Sequence, residues 1–386
     1  MLSYFSFPTR IVFGPGAIGA LGGVVQEFTI RRPLVVTDRG VAQAGLLDRV
    51  VAGLEASGAV CAVFDGVDPN PTEENVAAGI SRYREHGCDG IVAVGGGSPL
   101  DAGKAIRLKT THDRPLAEYD DFKDGARWVR PDLPPMIAIP TTAGTGSEVG
   151  RSAVIVLKET DRKTVIFSPY LMPTVAVCDP ELTRRLPKGL TAATGADALT
   201  HNIEAYLATG YHPLCDGIAL HGTALASRYL PRAVASGEDD LEARTQMMMA
   251  AIMGATAFQK GLGATHSLAH PLSSVAGLHH GLANAILLPH VLRFNAEVAA
   301  DRLRDLAAAM AIDVSGRSPQ EAAADAIHAI QSLFRGIGIP VRLSEAGVTA
   351  AIIPALVAKA MQDGCHLSNP RPCSAKDFQS LYEAAL

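Results

Sequence analysis

The chain has little that would tie it to nucleic acid, to a membrane or to an oxidising compartment. Its 34 Lys and Arg are outnumbered by 39 Asp and Glu, for a net charge of −5. No run of basic residues offers a patch for a phosphate backbone or an anionic lipid surface. No apolar run approaches the roughly 20 residues of a membrane-spanning helix. The opening stretch MLSYFSFPTRIVFG has no basic start, continuous apolar segment or small-residue cleavage pattern of a secretion signal. The six cysteines, Cys61, Cys88, Cys178, Cys215, Cys365 and Cys373, form no CxxC pair. Reduced thiols and a cytoplasmic location are therefore the expectation. Fixed-period repeats, low-complexity tracts and long polar linkers are missing too.

What is present reads as an ordinary globular enzyme: 48% hydrophobic and 19% charged residues. At 386 residues the chain exceeds one comfortable core, so two domains and an active-site cleft are expected. Up to about residue 185, short Val- and Ile-rich runs (PLVVTD, VCAVFD, GIVAVGGGS, MIAIPTT, TVAVCD) alternate with Ala-rich amphipathic stretches. That rhythm predicts a parallel sheet wrapped by helices. Beyond Gly189 the strand-like runs stop and long Ala- and Leu-rich segments predict helices. The expected division is an α/β dinucleotide-binding domain over residues 1–185 and an all-helical metal- and substrate-binding domain over 186–386.

Two glycine loops compete for a dinucleotide pyrophosphate. Gly14, Gly16 and Gly19 spell GxGxxG, with Asp38 at about the distance of a ribose-binding acid. Gly95, Gly96, Gly97 and Ser98 follow the apolar run IVAV and precede a helix-compatible stretch. Glycines there let a phosphate approach amides at a helix N-terminus, where the partial positive charge favours an anion. The second loop is preferred, while either could be a turn that needs positive φ. IPTTAGTGSE adds hydroxyls at Thr141, Thr142, Thr145 and Ser147 that suit a cofactor, although alone it could be a polar loop. Asp38 ends PLVVTD, where a carboxylate binds ribose hydroxyls and repels a 2′-phosphate, which favours NAD over NADP. It could equally initiate a turn.

The second half concentrates histidines: His266, His270, His279, His280 and His290. Asp197 and His201 sit four apart in GADALTHNIEAY, on one face of a predicted helix, and His266 and His270 repeat that spacing. One carboxylate with several imidazoles suits Fe(II) or Zn(II) better than Mg or Ca. His86, His112, His212, His221 and His328 lack such company and are assigned no role.

GGGSPLDAGK, IPTTAGTGSE, GADALTHNIEAY, GLGATHSLAHPL and HHGLANAILLPH, in this order, resemble the iron-containing (group III) alcohol dehydrogenase family along nearly the whole chain. The resemblance implies an N-terminal α/β domain, a helical domain carrying a divalent metal, and hydride transfer between a small alcohol, diol or hydroxy acid and NAD. It implies Asp197, His201, His266 and His280 as metal ligands, Fe(II) or another divalent transition ion as the metal, and His270 beside the nicotinamide as the catalytic proton relay. The pyrophosphate loop becomes Gly95–Ser98, with Asp38, Asp101, Thr141, Thr142, Thr145 and Lys163 completing the cofactor set, and Gly14–Gly19 keeps only a turn role. Ser152, Phe258, Lys260, Cys365 and His366 match positions around the substrate. Lys260 and His366 are candidates to meet a substrate carboxylate, or else a surface Lys and His. FQKGLGATH is a residue shorter than in many relatives, and Gly150 replaces a frequent Thr. The family implies a homo-oligomer, a dimer, with a small-molecule substrate and no nucleic acid or membrane partner. A dehydroquinate-synthase-like lyase needs a basic phosphate pocket, which the His-rich segments lack, and a maleylacetate-type reductase needs no metal set. A non-catalytic nucleotide binder needs neither.

Overall fold

The computed structural model describes residues 5–158 and 162–386. The chain forms two compact units, one of Phe7–Thr142 with Gly146–Arg185, the other of Leu186–Leu386 with Ala143–Thr145.

The first unit is built on β1 (Arg10–Phe13), β2 (Pro33–Val36), β3 (Ala62–Phe64), β4 (Gly90–Gly95), β5 (Met136–Pro140), β6 (Ser152–Leu157), β7 (Arg162–Phe167) and β8 (Val175–Cys178). Six of these form one parallel sheet in the order β1-β8-β5-β4-β2-β3. Alternate residues of a strand face opposite sides. Leu34, Val36, Ile91, Ala93, Met136 and Ala138 accordingly enter one apolar core, and Val35, Val92, Val94, Ile137, Ile139 and Val175 the other. Both faces are buried, which is why these strands read as continuous apolar runs. The helices of this unit are α1 (Leu21–Glu27), α2 (Arg39–Gln43), α3 (Leu46–Ala56), α4 (Glu73–Glu85) and α5 (Gly97–Thr111).

The antiparallel hairpin of β6 and β7 stands outside the expected rhythm. Its β6 buries Ala153, Ile155 and Leu157 and leaves Ser152, Val154 and Val156 half-buried. That alternation marks a sheet with one face packed, here against α5.

The second unit is helical: α6 (Lys188–Leu207), α7 (Pro213–Ser236), α8 (Leu241–Ala257), α9 (Ala264–Val275), α10 (His280–Ala309), α11 (Pro319–Gly336), α12 (Ile353–Ala360) and α13 (Ala375–Ala385). Helix α6 is buried from Thr191 to Leu207 except at Thr194, enclosed by α7, α8 and α10. A helix buried all round must satisfy any polar residue it carries internally. Its Asp197, His201 and Glu204 are such residues.

Candidate metal centre and cofactor loops

In the parallel sheet β2 has β3 on one side and β4 on the other, so the order in which strands are added reverses there, which leaves a crevice at the carboxyl ends of β2 and β4. Asp38 follows β2 and Gly95–Ser98 run from the last residue of β4 into the first turn of α5, while Thr141 and Thr142 follow β5, whose Pro140 pairs with Gly95. The fold thus gathers Asp38, the glycine loop and these threonines at the ends of three neighbouring strands. Gly95 has φ +148°, and a Cβ there would lie 2.5 Å from Pro99 Cγ, so only glycine makes this turn. No side chain caps the start of α5 and its first turn holds no acid. Its N-terminal amides keep their anion-attracting character. Ser98 Oγ donates to the Pro69 carbonyl at 2.7 Å. Asp38 caps α2 by accepting from Val41 N at 2.8 Å, and Thr145 is exposed.

Gly14–Gly19 follows β1 at the sheet edge, away from that crevice. Gly16 N and Ile18 N donate to the carboxylate of Asp179, at 3.2 and 3.1 Å. Asp179 is fully buried. An internal anion therefore takes the place that the GxGxxG spelling would reserve for a phosphate.

Asp101 differs from the cofactor ligand expected of it. Its Oδ1 accepts from Ser147 Oγ at 2.6 Å and its Oδ2 from Val154 N at 3.0 Å, with the buried Lys104 3.9 Å away. Both oxygens are used in tying α5 to the hairpin. Lys104 donates to Ser147 Oγ and to the Ser152 carbonyl, both at 2.8 Å. Burial raises the Asp101 carboxyl and brings the Lys104 ammonium down to about 8, each partly offset by the other's charge. Burial also lowers Lys163, on β7 opposite Val156, against the pull of Asp101. Glu148, buried beside Lys104, is pushed up to about 7 by desolvation.

In the helical unit, α6, α9 and the start of α10 bring four predicted residues together. Asp197 Oδ1 lies 3.9 Å from His201 Nε2, 3.8 Å from His266 Nε2 and 3.6 Å from His280 Nε2. His201 and His266 stack with ring centroids 4.7 Å apart. Gly281 allows the approach, because a Cβ there would meet the Ala193 carbonyl oxygen at 2.1 Å and Asp197 Cβ at 3.1 Å. Burial raises Asp197, but the three imidazoles outweigh it and hold the carboxyl well below its usual range. Burial brings His201 down to about 4, so its ring is neutral at physiological pH. A carboxylate ringed by imidazole nitrogens is the donor set of a divalent transition ion, and the residues fit one.

Three residues that sequence reasoning missed complete this centre. Glu204 accepts from His266 Nδ1 at 2.6 Å and from Gly263 N and Thr265 N. Its proton-accepting contact turns Nε2 of His266 toward Asp197. Asn284 Nδ2 donates to Asp197 Oδ1 at 2.7 Å and lies 3.2 Å from Nε2 of both His266 and His280. Asp363 faces His270 Nδ1 at 2.7 Å. Helical spacing could have found Glu204, seven residues after Asp197, and Asn284, four after His280. Nothing in the sequence links Asp363 to His270.

Phe258 packs edge-on against His201, with centroids 5.3 Å apart. Cys365 lies close to His270 and Asp363. Lys260 and His366 depart from the expectation that they meet a substrate carboxylate. The Lys260 side chain is 1% exposed and is paired with Asp216, and it donates to the Tyr206 carbonyl at 2.9 Å. An ammonium already neutralised inside the protein is unavailable to a ligand. The buried His366 ring packs edge-on against Phe378, and its backbone N donates to Ser267 Oγ at 2.9 Å.

An α/β nucleotide-type unit and a helical unit with a carboxylate–imidazole centre define a class of two-domain metal-dependent oxidoreductase. Residues 8–180 match the family model for iron-containing alcohol dehydrogenase, and residues 191–386 match the model for the C-terminal part of that family. The chain belongs to the iron-containing alcohol dehydrogenase family, and is an NAD- and divalent-metal-dependent alcohol dehydrogenase. It is 42% identical to 4-hydroxybutyrate dehydrogenase of Cupriavidus necator over 100% of both chains. It is 40% identical to 1,3-propanediol dehydrogenase of Klebsiella pneumoniae, over 98% of this chain and 97% of that one. A solved 1,3-propanediol oxidoreductase superposes with a TM-score of 0.96 at 40% identity, covering 100% of both chains.

Proposed function

We propose that the enzyme interconverts a small aliphatic alcohol, diol or ω-hydroxy acid and its aldehyde, with the metal held by Asp197, His201, His266 and His280. The observation that carries this reading is the convergence of three imidazole nitrogens on Asp197 Oδ1 within 3.9 Å. The names of relatives that act on 4-hydroxybutyrate and 1,3-propanediol support the substrate range. The domain assignment is residues 1–185 for NAD and 186–386 for metal and substrate. Asp38, Gly95–Ser98, Thr141, Thr142, Thr145 and Lys163 form the cofactor set, while Asp101 acts by holding the hairpin. Ser152, Phe258 and Cys365 shape the substrate pocket. That no disulfide joins the six cysteines among the described residues supports a cytoplasmic enzyme. The edge strand β1 supports assembly as a homodimer.

When bound, the metal supplies a Lewis acid that lowers the pKa of an alcohol, and NAD supplies the hydride acceptor. The protein contributes geometry and charge. Asp197 provides the one negative ligand, and burial keeps His201 neutral and able to coordinate. Glu204 fixes the ring of His266. His270 takes the alcohol proton and passes it toward solvent; its side chain is 27% exposed.

Metal-reconstituted activity with NAD and NADP across short alcohols, diols and ω-hydroxy acids tests this reading, alongside Asp197→Ala and His280→Ala. NAD reduction that vanishes with either substitution is expected, together with loss of bound metal. Tight NAD binding with no redox activity under any metal would instead indicate cyclase-type chemistry.

A further inference from the structure

Helix α5 is pressed onto β4 at Gly103, where a Cβ would lie 2.8 Å from Ala93 Cβ, so the helix is fixed on the sheet. About one turn in from Ser98 it carries Asp101 and Lys104, three residues apart and both buried. Lys104 Nζ donates to Ser147 Oγ at 2.8 Å, and Ser147 Oγ donates in turn to Asp101 Oδ1 at 2.6 Å. Lys104 Nζ also donates to the Ser152 carbonyl at 2.8 Å, and Asp101 Oδ2 accepts from Val154 N at 3.0 Å. The two side chains therefore hold the turn Ser147–Val149, which follows β5, together with the first residues of β6. Farther along the hairpin the backbone is tied elsewhere, Val156 N donating to the Pro71 carbonyl at 2.8 Å. All of these residues lie in the α/β unit.

Packing alone does not call for a lysine at this place. The side chain of Lys104 has no exposed surface, and the Asp101 carboxylate is 3.9 Å away, beyond direct hydrogen-bond reach. An apolar chain of similar volume is often as stable as a buried charge of this kind. What the ammonium adds is a set of donors aimed at fixed acceptors, and hence a defined geometry. The sheet order gives that geometry a direction. With ribose hydroxyls at Asp38 after β2 and the pyrophosphate at the start of α5, the rest of a dinucleotide extends past β4 toward β5. There the end of β5 is joined to the glycine loop, Thr141 N donating to the Gly95 carbonyl at 2.9 Å, and the turn into β6 follows.

We propose that Lys104 is a positioning residue for the nicotinamide end of NAD: it locks the turn between β5 and β6, and the start of the hairpin, onto the helix whose N-terminus receives the pyrophosphate. The inference rests on the reading of Gly95–Ser98 as the pyrophosphate loop. Lys104 is buried behind the turn and acts through Ser147 and Ser152, so its loss is felt at one end of the cofactor and not at the other.

The test measures binding of NAD and of ADP-ribose, which lacks the nicotinamide ring, by calorimetry on the full-length, metal-loaded enzyme. Lys104→Met is expected to raise the Kd for NAD about tenfold and to leave that for ADP-ribose within about twofold of wild type. Because Lys104→Met strands the Asp101 carboxylate, the double variant Asp101→Asn/Lys104→Met, which removes that charge, carries the measurement if the single variant folds poorly. It should regain the urea midpoint of wild type yet keep the weakened NAD binding. NAD affinity within about twofold of wild type in a folded Lys104→Met protein would overturn the proposal. So would equal weakening of both ligands, which is general loosening, or recovery of NAD affinity in the double variant, which would trace the loss to the stranded charge. Gly96→Val, which crowds the amides at the start of α5, should weaken both ligands at least about tenfold. Normal binding of both by Gly96→Val would remove the pyrophosphate-loop reading, and the proposal with it, whatever Lys104→Met does.

Discussion

Glu204 Oε2 lies 2.6 Å from His266 Nδ1, so the imidazole that α9 presents to Asp197 is aimed by a carboxylate on the same helix as Asp197. A metal-binding histidine held in this way is more basic and better oriented. Glu204→Gln keeps the shape but removes the charge. We expect it to weaken divalent-metal affinity about 10–100-fold, read by chelator competition, with NAD binding unchanged. Unaltered metal affinity would show that Glu204 serves only the amides of Gly263 and Thr265.

Asp179 holds the amides of Gly16 and Ile18 at the end of β1. Asp179→Ala leaves buried donors without a partner and should cost about 2–4 kcal/mol of stability, measured by urea unfolding. The KM for NAD in the folded fraction should stay within about twofold of wild type. A tenfold rise would return the GxGxxG loop to the cofactor.

Lys260 is paired with Asp216 and bonded to the Tyr206 carbonyl near the end of α6, where Arg302 also reaches that carbonyl. Lys260→Met removes one of the two cations on Asp216, the other being Arg302 at 2.9 Å, and should therefore lower stability by only about 1–2 kcal/mol. The ratio of kcat/KM for an ω-hydroxy acid to that for a diol should change by less than about threefold. A selective loss on the hydroxy acid would place the ammonium against the substrate after all.

Glu148 has a carboxyl raised from 4.5 to about 7 by burial. The folded state thus binds the proton more tightly than the unfolded chain, and the associated stability is fully present below pH 4.5 and lost as pH rises through about 7. Glu148→Gln should flatten the fall in stability between those values, with a relative gain on the order of 2 kcal/mol at pH 8. Chemical denaturation at pH 5 and pH 8 checks it; an unchanged pH slope would mean that Lys104 keeps Glu148 ionised.

Much of the architecture is legible because its signals are local. Five strand runs stand out because the parallel sheet is buried on both faces, whereas the β6–β7 hairpin, packed on one face only, breaks the expected rhythm. Asp197 and His201 are readable as a pair because four residues make one helical turn. Glu204 lies on the same helix, seven residues after Asp197 and three after His201, so the same spacing could have found it. Lys260 and His366 were drawn toward the substrate by position in a motif, and packing turned one into an ion pair and the other against Phe378.

The sequence alone determined five strands of the parallel sheet, the helical character of the second half, the glycine that turns from β4 into α5, and the histidine-rich content of the second half, since each depends on neighbours within a few residues. Only the tertiary structure decided that the amides of the Gly14–Gly19 loop are taken by Asp179, from more than 160 residues away. It likewise decided that Asp363 meets His270 across 93 residues. Such pairings follow from how buried charges find partners once the chain is packed, and local spacing carries no record of them.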